Sequence, residues 1–363
     1  MLRIQGTTKE DLDLTGARVV PIPTANRLLD FQTMKIQLML TTLAGITSCF
    51  AFGEGFDYSF NLLSDHSVAS NSAQDDNQAH RLLFTTEWQW QMDDRWLVAG
   101  NLKAFRGDNG EGLTENLQGI SNIDAEKFSK IYEMYVQYQF NAETRAKCGQ
   151  VDANLEFAFV PVAGAFISPP LGITPTAIAL PTYYDPALSC SVFYEPEQGF
   201  QWMGGVFAGR DHLDFAEQFY VVEGRYVTAD TRWSYGFWHH NGDWEVLDQN
   251  RIKAISGWYL NYQRQLNDDW ALFAVWSSLN DEVDITRQHH MLGVVRQFEP
   301  HQLGLMVSEV TQRYSTKDYL AEVYWQHQLQ PDLALQPVLQ WVNHGEIGLK
   351  NQWVWSLRLN WSF

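Results

Sequence analysis

The sequence predicts an all-β fold, a transmembrane antiparallel β-barrel of about sixteen strands, and three observations predict it. Apolar and polar residues alternate with period two in one segment after another. Trp and Tyr stand at the ends of the apolar sets. The chain stops on an aromatic residue, Phe363, that completes such a set.

Composition narrows the classes first. Of 363 residues, 45% are apolar, 14% aromatic and only 19% charged, with 25 Lys+Arg against 43 Asp+Glu and a formal net charge of -18. A nucleic-acid binder needs a basic face to neutralise phosphates, and no Lys/Arg cluster is present. A mean hydropathy of -0.29 excludes a bundle of membrane-spanning helices. With 15 Trp, 15 Tyr and 21 Phe, the chain is far too aromatic to be intrinsically disordered.

Taken in order, residues 1–33 contain Glu10, Asp11, Asp13 and two prolines and read as an upstream extension outside the fold. Residues 34–51 run from a basic start at Lys35 through an apolar stretch to a small-residue exit at Ala51, as a secretory signal peptide does. Translation is therefore expected to begin at Met34. Ile46-Thr47-Ser48-Cys49 also fits the loose pattern of a lipoprotein cleavage site. Most of the acidity lies after residue 51, so residues 52–363 form an acidic barrel. In an oxidising periplasm Cys148 and Cys190 either pair, if their strands are neighbours, or remain isolated small core residues.

The clearest alternation is the last, with Trp353, Trp355, Leu357, Leu359, Trp361 and Phe363 at every second position and Val354, Ser356, Arg358, Asn360 and Ser362 between them. On a strand these sets point to opposite faces. The same reading puts Tyr132, Met134, Val136, Tyr138 and Phe140 on one face against Glu133, Tyr135, Gln137 and Gln139. It also opposes Leu333, Leu335, Pro337, Leu339 and Trp341 to Ala334, Gln336, Val338 and Gln340. Weaker copies lie near 57–64, 81–91, 96–105, 145–152, 189–195, 200–208, 218–227, 231–240, 253–264, 269–278, 288–298, 302–310 and 318–328. Asn241-Gly242, Asp93-Asp94, Asp268-Asp269 and Gln330-Pro331-Asp332 are read as turns.

A soluble sandwich would bury the apolar faces against each other, whereas an outer-membrane barrel turns them to lipid. Trp96, Trp270, Trp341, Trp353 and Trp361 at the ends of apolar sets favour the barrel, as an aromatic girdle at the headgroups. The polar sets are also large and charged, which suits a wet interior. The faces opposite the apolar sets give Arg81, Glu87, Lys103, Glu133, Asp152, Glu223, Arg225, Arg232, Glu322 and Arg358 as inward charges, half of each sign. Such a balance lacks the single-sign field that selects ions. Arg forks and carboxylates can bond sugar hydroxyls, and aromatic faces can stack on a pyranose. Solvation of a water channel is the simpler role for any one of them. The best candidates for pore lining are Glu133, Asp152, Glu223, Arg225, Arg232, Glu322 and Arg358. Alternation stops over 153–188, a segment with six prolines and many apolar residues, which is expected to fold into the barrel mouth and narrow the pore. An outer lid or a subunit contact is the alternative.

Several stretches then carry a resemblance. They are Asn109-Gly110-Glu111-Gly112-Leu113-Thr114, Gln118-Gly119-Ile120-Ser121-Asn122-Ile123, and Gly149-Gln150-Val151-Asp152 leading to Phe157 and Phe166. Pro181, Tyr183, Asp185, Pro186 and Ala187 follow, then Glu322-Val323-Tyr324-Trp325 and Pro337-Val338-Leu339-Gln340. In order and spacing this chain resembles the carbohydrate-selective, OprB-like porin family from about residue 54 to 363. The resemblance implies a sixteen-stranded outer-membrane barrel of a Gram-negative-type envelope that passes glucose and other sugars by passive diffusion. The chain departs from the family in being short and in carrying Cys148 on the strand before the long loop.

There is no Gly-x-Ser-x-Gly, His-Glu-x-x-His, Cys-x-x-Cys or phosphate-cradling glycine loop. Within the pairs His239-His240 and His289-His290, neighbours point to opposite faces and cannot share one metal without a bulge. No catalytic residue, cofactor or metal is assigned. The expected partners are sugars as diffusing solutes, outer-membrane lipid, the barrel assembly machinery acting on the strand that ends at Phe363, and further copies of the chain. The alternatives are a general porin without sugar preference or, in a different class, a secreted β-sandwich that binds or cleaves glycans. A barrel-embedded lipase would need a lipid-facing Ser/His pair that the sequence does not locate.

Overall fold

A computed structural model describes residues 55–70, 77–114, 116–168, 176–209, 211–245, 251–280, 286–312, 317–344 and 350–363. The expected extension 1–33 and signal segment 34–51 lie outside the described residues, as do Pro169, Pro170, Pro175, Asp75-Asp76 and Asp281-Glu282.

Sixteen strands follow one another: β1 Phe56–Ala69, β2 Gln78–Gln91, β3 Trp96–Gly107, β4 Phe128–Asn141, β5 Thr144–Val151, β6 Ala187–Tyr194, β7 Gly199–Ala208 and β8 Gln218–Val227. The second half is β9 Thr231–Glu245, β10 Arg251–Gln265, β11 Trp270–Leu279, β12 Thr286–Phe298, β13 His301–Gln312, β14 Lys317–Gln330, β15 Leu333–Asn343 and β16 Gln352–Ser362. Each pairs antiparallel with its sequence neighbour, and β1 closes on β16. The barrel thus leaves no unpaired edge, the condition for crossing a bilayer with strands. Every alternating segment of the sequence has become one of these strands, and none is missing.

The seam shows why the last residue matters. Phe60 N–H donates to the Phe363 carbonyl at 2.8 Å and Phe363 N–H returns the bond at 2.9 Å. Their rings stack with centroids 5.6 Å apart. Along β16, Trp353, Trp355 and Leu357 point outward while Val354, Ser356 and Arg358 are buried inside, as their alternation requires.

Short turns gather at one end of the barrel and longer loops at the other. In the β2–β3 turn Asp93 Oδ1 accepts the amides of Arg95 and Trp96, both at 2.8 Å. Those two bonds hold the Asp93 carboxyl below its ordinary value. Asn267 closes the β10–β11 turn in the same way, at 3.0 and 2.9 Å from the amides of Asp269 and Trp270.

Two local readings need correction. Asn241-Gly242 is not a turn but lies inside β9, where Asn241 Oδ1 accepts the Gln218 amide at 2.7 Å and the strand simply continues. Tyr132 does not share the outward face of Met134 and Val136. Asn101 pairs with Glu133 and Leu102 with Ile131, so Tyr132 is the extra residue of a β-bulge. Both Tyr132 and Glu133 are buried inside the barrel. Gln150 on β5 satisfies the bulge, donating to the carbonyls of Ile131 and Tyr132 at 3.1 and 2.9 Å.

The exterior is apolar and ringed by aromatics. Near the turns, Trp96 meets Tyr138 with ring centroids 4.6 Å apart, Trp233 meets Tyr262 at 4.3 Å, and Phe200 meets Tyr226 at 5.0 Å. Trp270 and Trp361 share that end, and Trp341 and Trp353 stand toward the loops. Two aromatic rings around a closed apolar wall are the exterior of an outer-membrane barrel. On this outer wall Cys148 and Cys190, directly opposed across β5 and β6 with Cα atoms 4.2 Å apart, form a disulfide.

Candidate functional site

The inner face is built by two loops as well as by strands. A loop carrying many buried backbone amides must find acceptors for them, and inward polar side chains of the wall provide these. For the 152–186 loop, Ala158 N–H donates to Glu223 Oε2 at 2.8 Å and Val162 N–H to Gln263 Oε1 at 3.0 Å. Ile167 and Ser168 donate to the two oxygens of Glu322, at 2.8 and 3.0 Å. Gln336 Nε2 donates to the Ala165 carbonyl at 2.6 Å. Apolar packing completes the attachment. Phe166 lies edge-on against Tyr324 and Phe273, at 4.8 and 5.6 Å, and Phe157 packs on Phe193 and Phe207.

The loop between β3 and β4 also turns inward, which the alternation gave no reason to expect. Arg81 grips Asp124, and Asp124 also accepts the Gly110 amide at 2.8 Å. Arg358 donates twice to Asp65, both at 2.7 Å, and once to Asn122 at 2.7 Å. Ser121 adds a bond to Asp65 at 2.7 Å. Gln340 and Gln352 donate to the carbonyls of Ile120 and Leu113 at 2.9 and 3.1 Å. The two loops join directly, Asn122 N–H donating to the Ile167 carbonyl at 2.6 Å.

The seven candidate residues all stand on the inner side, but the structure distributes them over different tasks. Glu223, Glu322 and Arg358 hold loop backbone or loop side chains, as described. Arg225 pairs with Glu223 and donates to the Glu156 carbonyl at 2.5 Å, so it too holds the long loop. Arg232 lies at the turn end of β9, its Nε buried and without a hydrogen-bond partner among the described residues. Asp152, at the exit of β5, accepts from the Tyr132 hydroxyl and from the Asn154 amide at 2.9 Å. Glu133 accepts from Asn101 Nδ2 at 2.8 Å and from the Asp152 amide at 3.0 Å, beside open space.

Sequence reasoning passed over Asp65, Lys130, Arg145 and Lys147. Arg145 and Lys147 are legible in hindsight, since they alternate with Ala146 and Cys148 along β5. Both bind Glu156 of the long loop at 2.9 Å, and Arg145 also reaches Glu195 at 3.0 Å. Burial pushes the Glu156 carboxyl up, but Lys147 and Arg145 outweigh it and hold the group below the ordinary glutamate value.

Open space is unevenly placed. A cavity of about 470 Å³ lies toward the turn end along β1–β5, lined by Asp57, Ser59, Glu87, Asn101, Glu133 and Lys147 among others. A second, of about 410 Å³, lies toward the loop end, between the 177–185 limb of the long loop and Gly209, His212 and His240. Among the described residues no cluster of three or more His, Cys, Asp or Glu is arranged to hold a metal. As expected for neighbours on a strand, His240 and His289 face inward while His239 and His290 face out.

No protein-family model matches this sequence, and no curated protein matches it either. Its fold is similar to that of Pseudomonas putida OprB in a high-pH structure, with a TM-score of 0.76 and 12% identity over 85% of this chain and 94% of that one. A Vibrio cholerae outer membrane protein, OmpT lacking loop L8, aligns with a TM-score of 0.59 and 10% identity over 85% of this chain and 99% of that one. A mutant Rhodopseudomonas blastica porin aligns at 0.56, also with 10% identity, over 85% of this chain and all of that one. At such identities the likeness concerns the fold, which is the closed sixteen-strand porin barrel.

Proposed function

We propose that this barrel is a porin through which sugars and other small hydrophilic solutes diffuse passively across the outer membrane, along a lumen narrowed by the 153–188 segment. The observation that carries the reading is the polar cavity along β1–β5 inside a barrel whose exterior suits lipid. Passive passage needs only a wet, hydrogen-bonding lumen, and in this reading no side chain has a catalytic task. The motif resemblance to carbohydrate-selective porins supports sugars as the solutes, and the Tyr and Lys groups of the lumen offer ring faces and hydroxyl partners.

In this proposal Glu133, Asp152 and Arg232 border the path, while Glu223, Arg225, Glu322 and Arg358 fix its shape through the loops. Export directed by residues 34–51, assembly directed by the strand ending at Phe363, and association of several copies belong to the same proposal. Liposome swelling with purified protein and a graded sugar panel tests it. Monosaccharides are expected to enter faster than disaccharides, and sugar is expected to slow ion current. Swelling without any effect of sugar on current would favour a general porin. Folded barrels that admit no sugar at all would overturn the proposal.

A further inference from the structure

Building on the porin reading above, we infer that solutes cross beside β3–β5 alone, and that Lys103, whose ammonium lies over the Tyr132 ring and to the side of that of Tyr183, is the point where the path selects what passes. On the far side a cavity of about 330 Å³ lies toward the turn end, lined by Gln297, Gln302, Gln326 and Gln328, but among the described residues it is closed at the level of the loops. From β10 to β16 the inner wall at the level of the loops is covered by Phe166, Ile167, Ile120 and Leu113 packed on Phe273, Met306, Tyr324 and Val342, all fully buried.

On the near side the two cavities lie on either side of one side-chain cluster. Asn101 and Glu133 line the turn-end cavity and Tyr183 lines the loop-end one. Lys103 is the next inward residue after Asn101 toward the loops. Its ammonium lies 3.8 Å from the centre of the Tyr132 ring and 5.8 Å from that of Tyr183.

Lys103 makes no hydrogen bond or ion pair among the described residues. In the strand register it stands opposite another cation, Lys130, a pairing that costs stability. Lys130 is answered by Asp185, whereas Lys103 has only the more distant field of Glu87, Glu133 and Asp152. An ammonium without an ion pair, over one ring and beside another, on the same inner face as Asn101 of the turn-end cavity, is a solute contact rather than a structural bond. Without it, Lys147 would be the remaining cation beside Glu133, and Glu87 and Asp152 would weigh on the path.

Planar-bilayer recordings on full-length protein test the assignment. Reversal potentials in a KCl gradient should move toward cation preference in Lys103→Gln, and about as far again in Lys103→Glu. A negatively charged thiol reagent applied to Lys103→Cys should cut conductance by about half or more, whereas Val342→Cys, buried on the far wall, should not respond. Heat-modifiable migration identifies the folded barrels that are compared. Wild-type channels whose selectivity ignores Lys103→Glu, or whose current is blocked through Val342→Cys, overturn the route and leave the porin reading standing. Wild-type protein that forms no channel overturns both.

Discussion

The near wall, β1–β5, toward the turns and the far wall, β10–β16, at the level of the loops obey the same alternation and end in opposite states. On β1 and β2 the inward side chains toward the turn end are Asp57, Ser59 and Glu87, exposed to the lumen. On β11, β13 and β14 the inward set holds Phe273, Met306 and Tyr324, covered by the long loop. The difference teaches that an inner barrel face can be a solvated lining or a docking surface for a loop, and that its residues declare which. Large inward apolar groups mean that something is packed on them.

The strongest way to break the comparison is to empty the far wall. Phe166→Ala removes the ring seated between Tyr324 and Phe273 and should cost about 3–5 kcal/mol, with a cavity left where it packed. Urea unfolding should show the loss, and liposome swelling should admit larger sugars. Glu322→Ala should follow, since the amides of Ile167 and Ser168 lose their acceptors at about 1–3 kcal/mol each. Protease cleavage within 160–168 in folded barrels is the expected readout.

A smaller effect is expected from acid. Glu156 has its folded-state value depressed by Lys147 and Arg145, so the stabilisation it gives is present at neutral pH. It is lost as pH falls below the ordinary glutamate value and through the depressed one. Channel noise or gating that grows across that acidic window, and fails to appear in Glu156→Gln, would place the long loop's mooring there. Smallest of all, Glu87→Gln on the open near wall should leave stability within about 0.5 kcal/mol and only weaken cation entry slightly. A large loss of stability at Glu87 would show that the near wall is packed as the far wall is.

The fold was legible because a strand's period of two leaves a mark in every segment, and the long proline-rich gap announced a loop. What alternation could not show was any contact between distant residues. Nothing near Tyr132 marks the bulge, since one extra residue leaves composition unchanged while reversing the face of everything before it. The inward loop of residues 108–127 is mostly polar, and its attachment depends on Arg81, Arg358 and Gln340 from three separate strands. The candidate site was partly legible for the same reason. Facing direction could be read for Glu223 and Glu322, but their task of accepting loop amides is a matter of three-dimensional position. Cys148 and Cys190 could be paired only once β5 and β6 were known to be neighbours in that register.

Single-channel recording of the purified protein in a planar bilayer puts the conducting near wall to the most direct test. Discrete, ohmic current steps that shrink when sugar is added to the bath are the expected result. A bilayer that remains silent although folded barrel has inserted would contradict it.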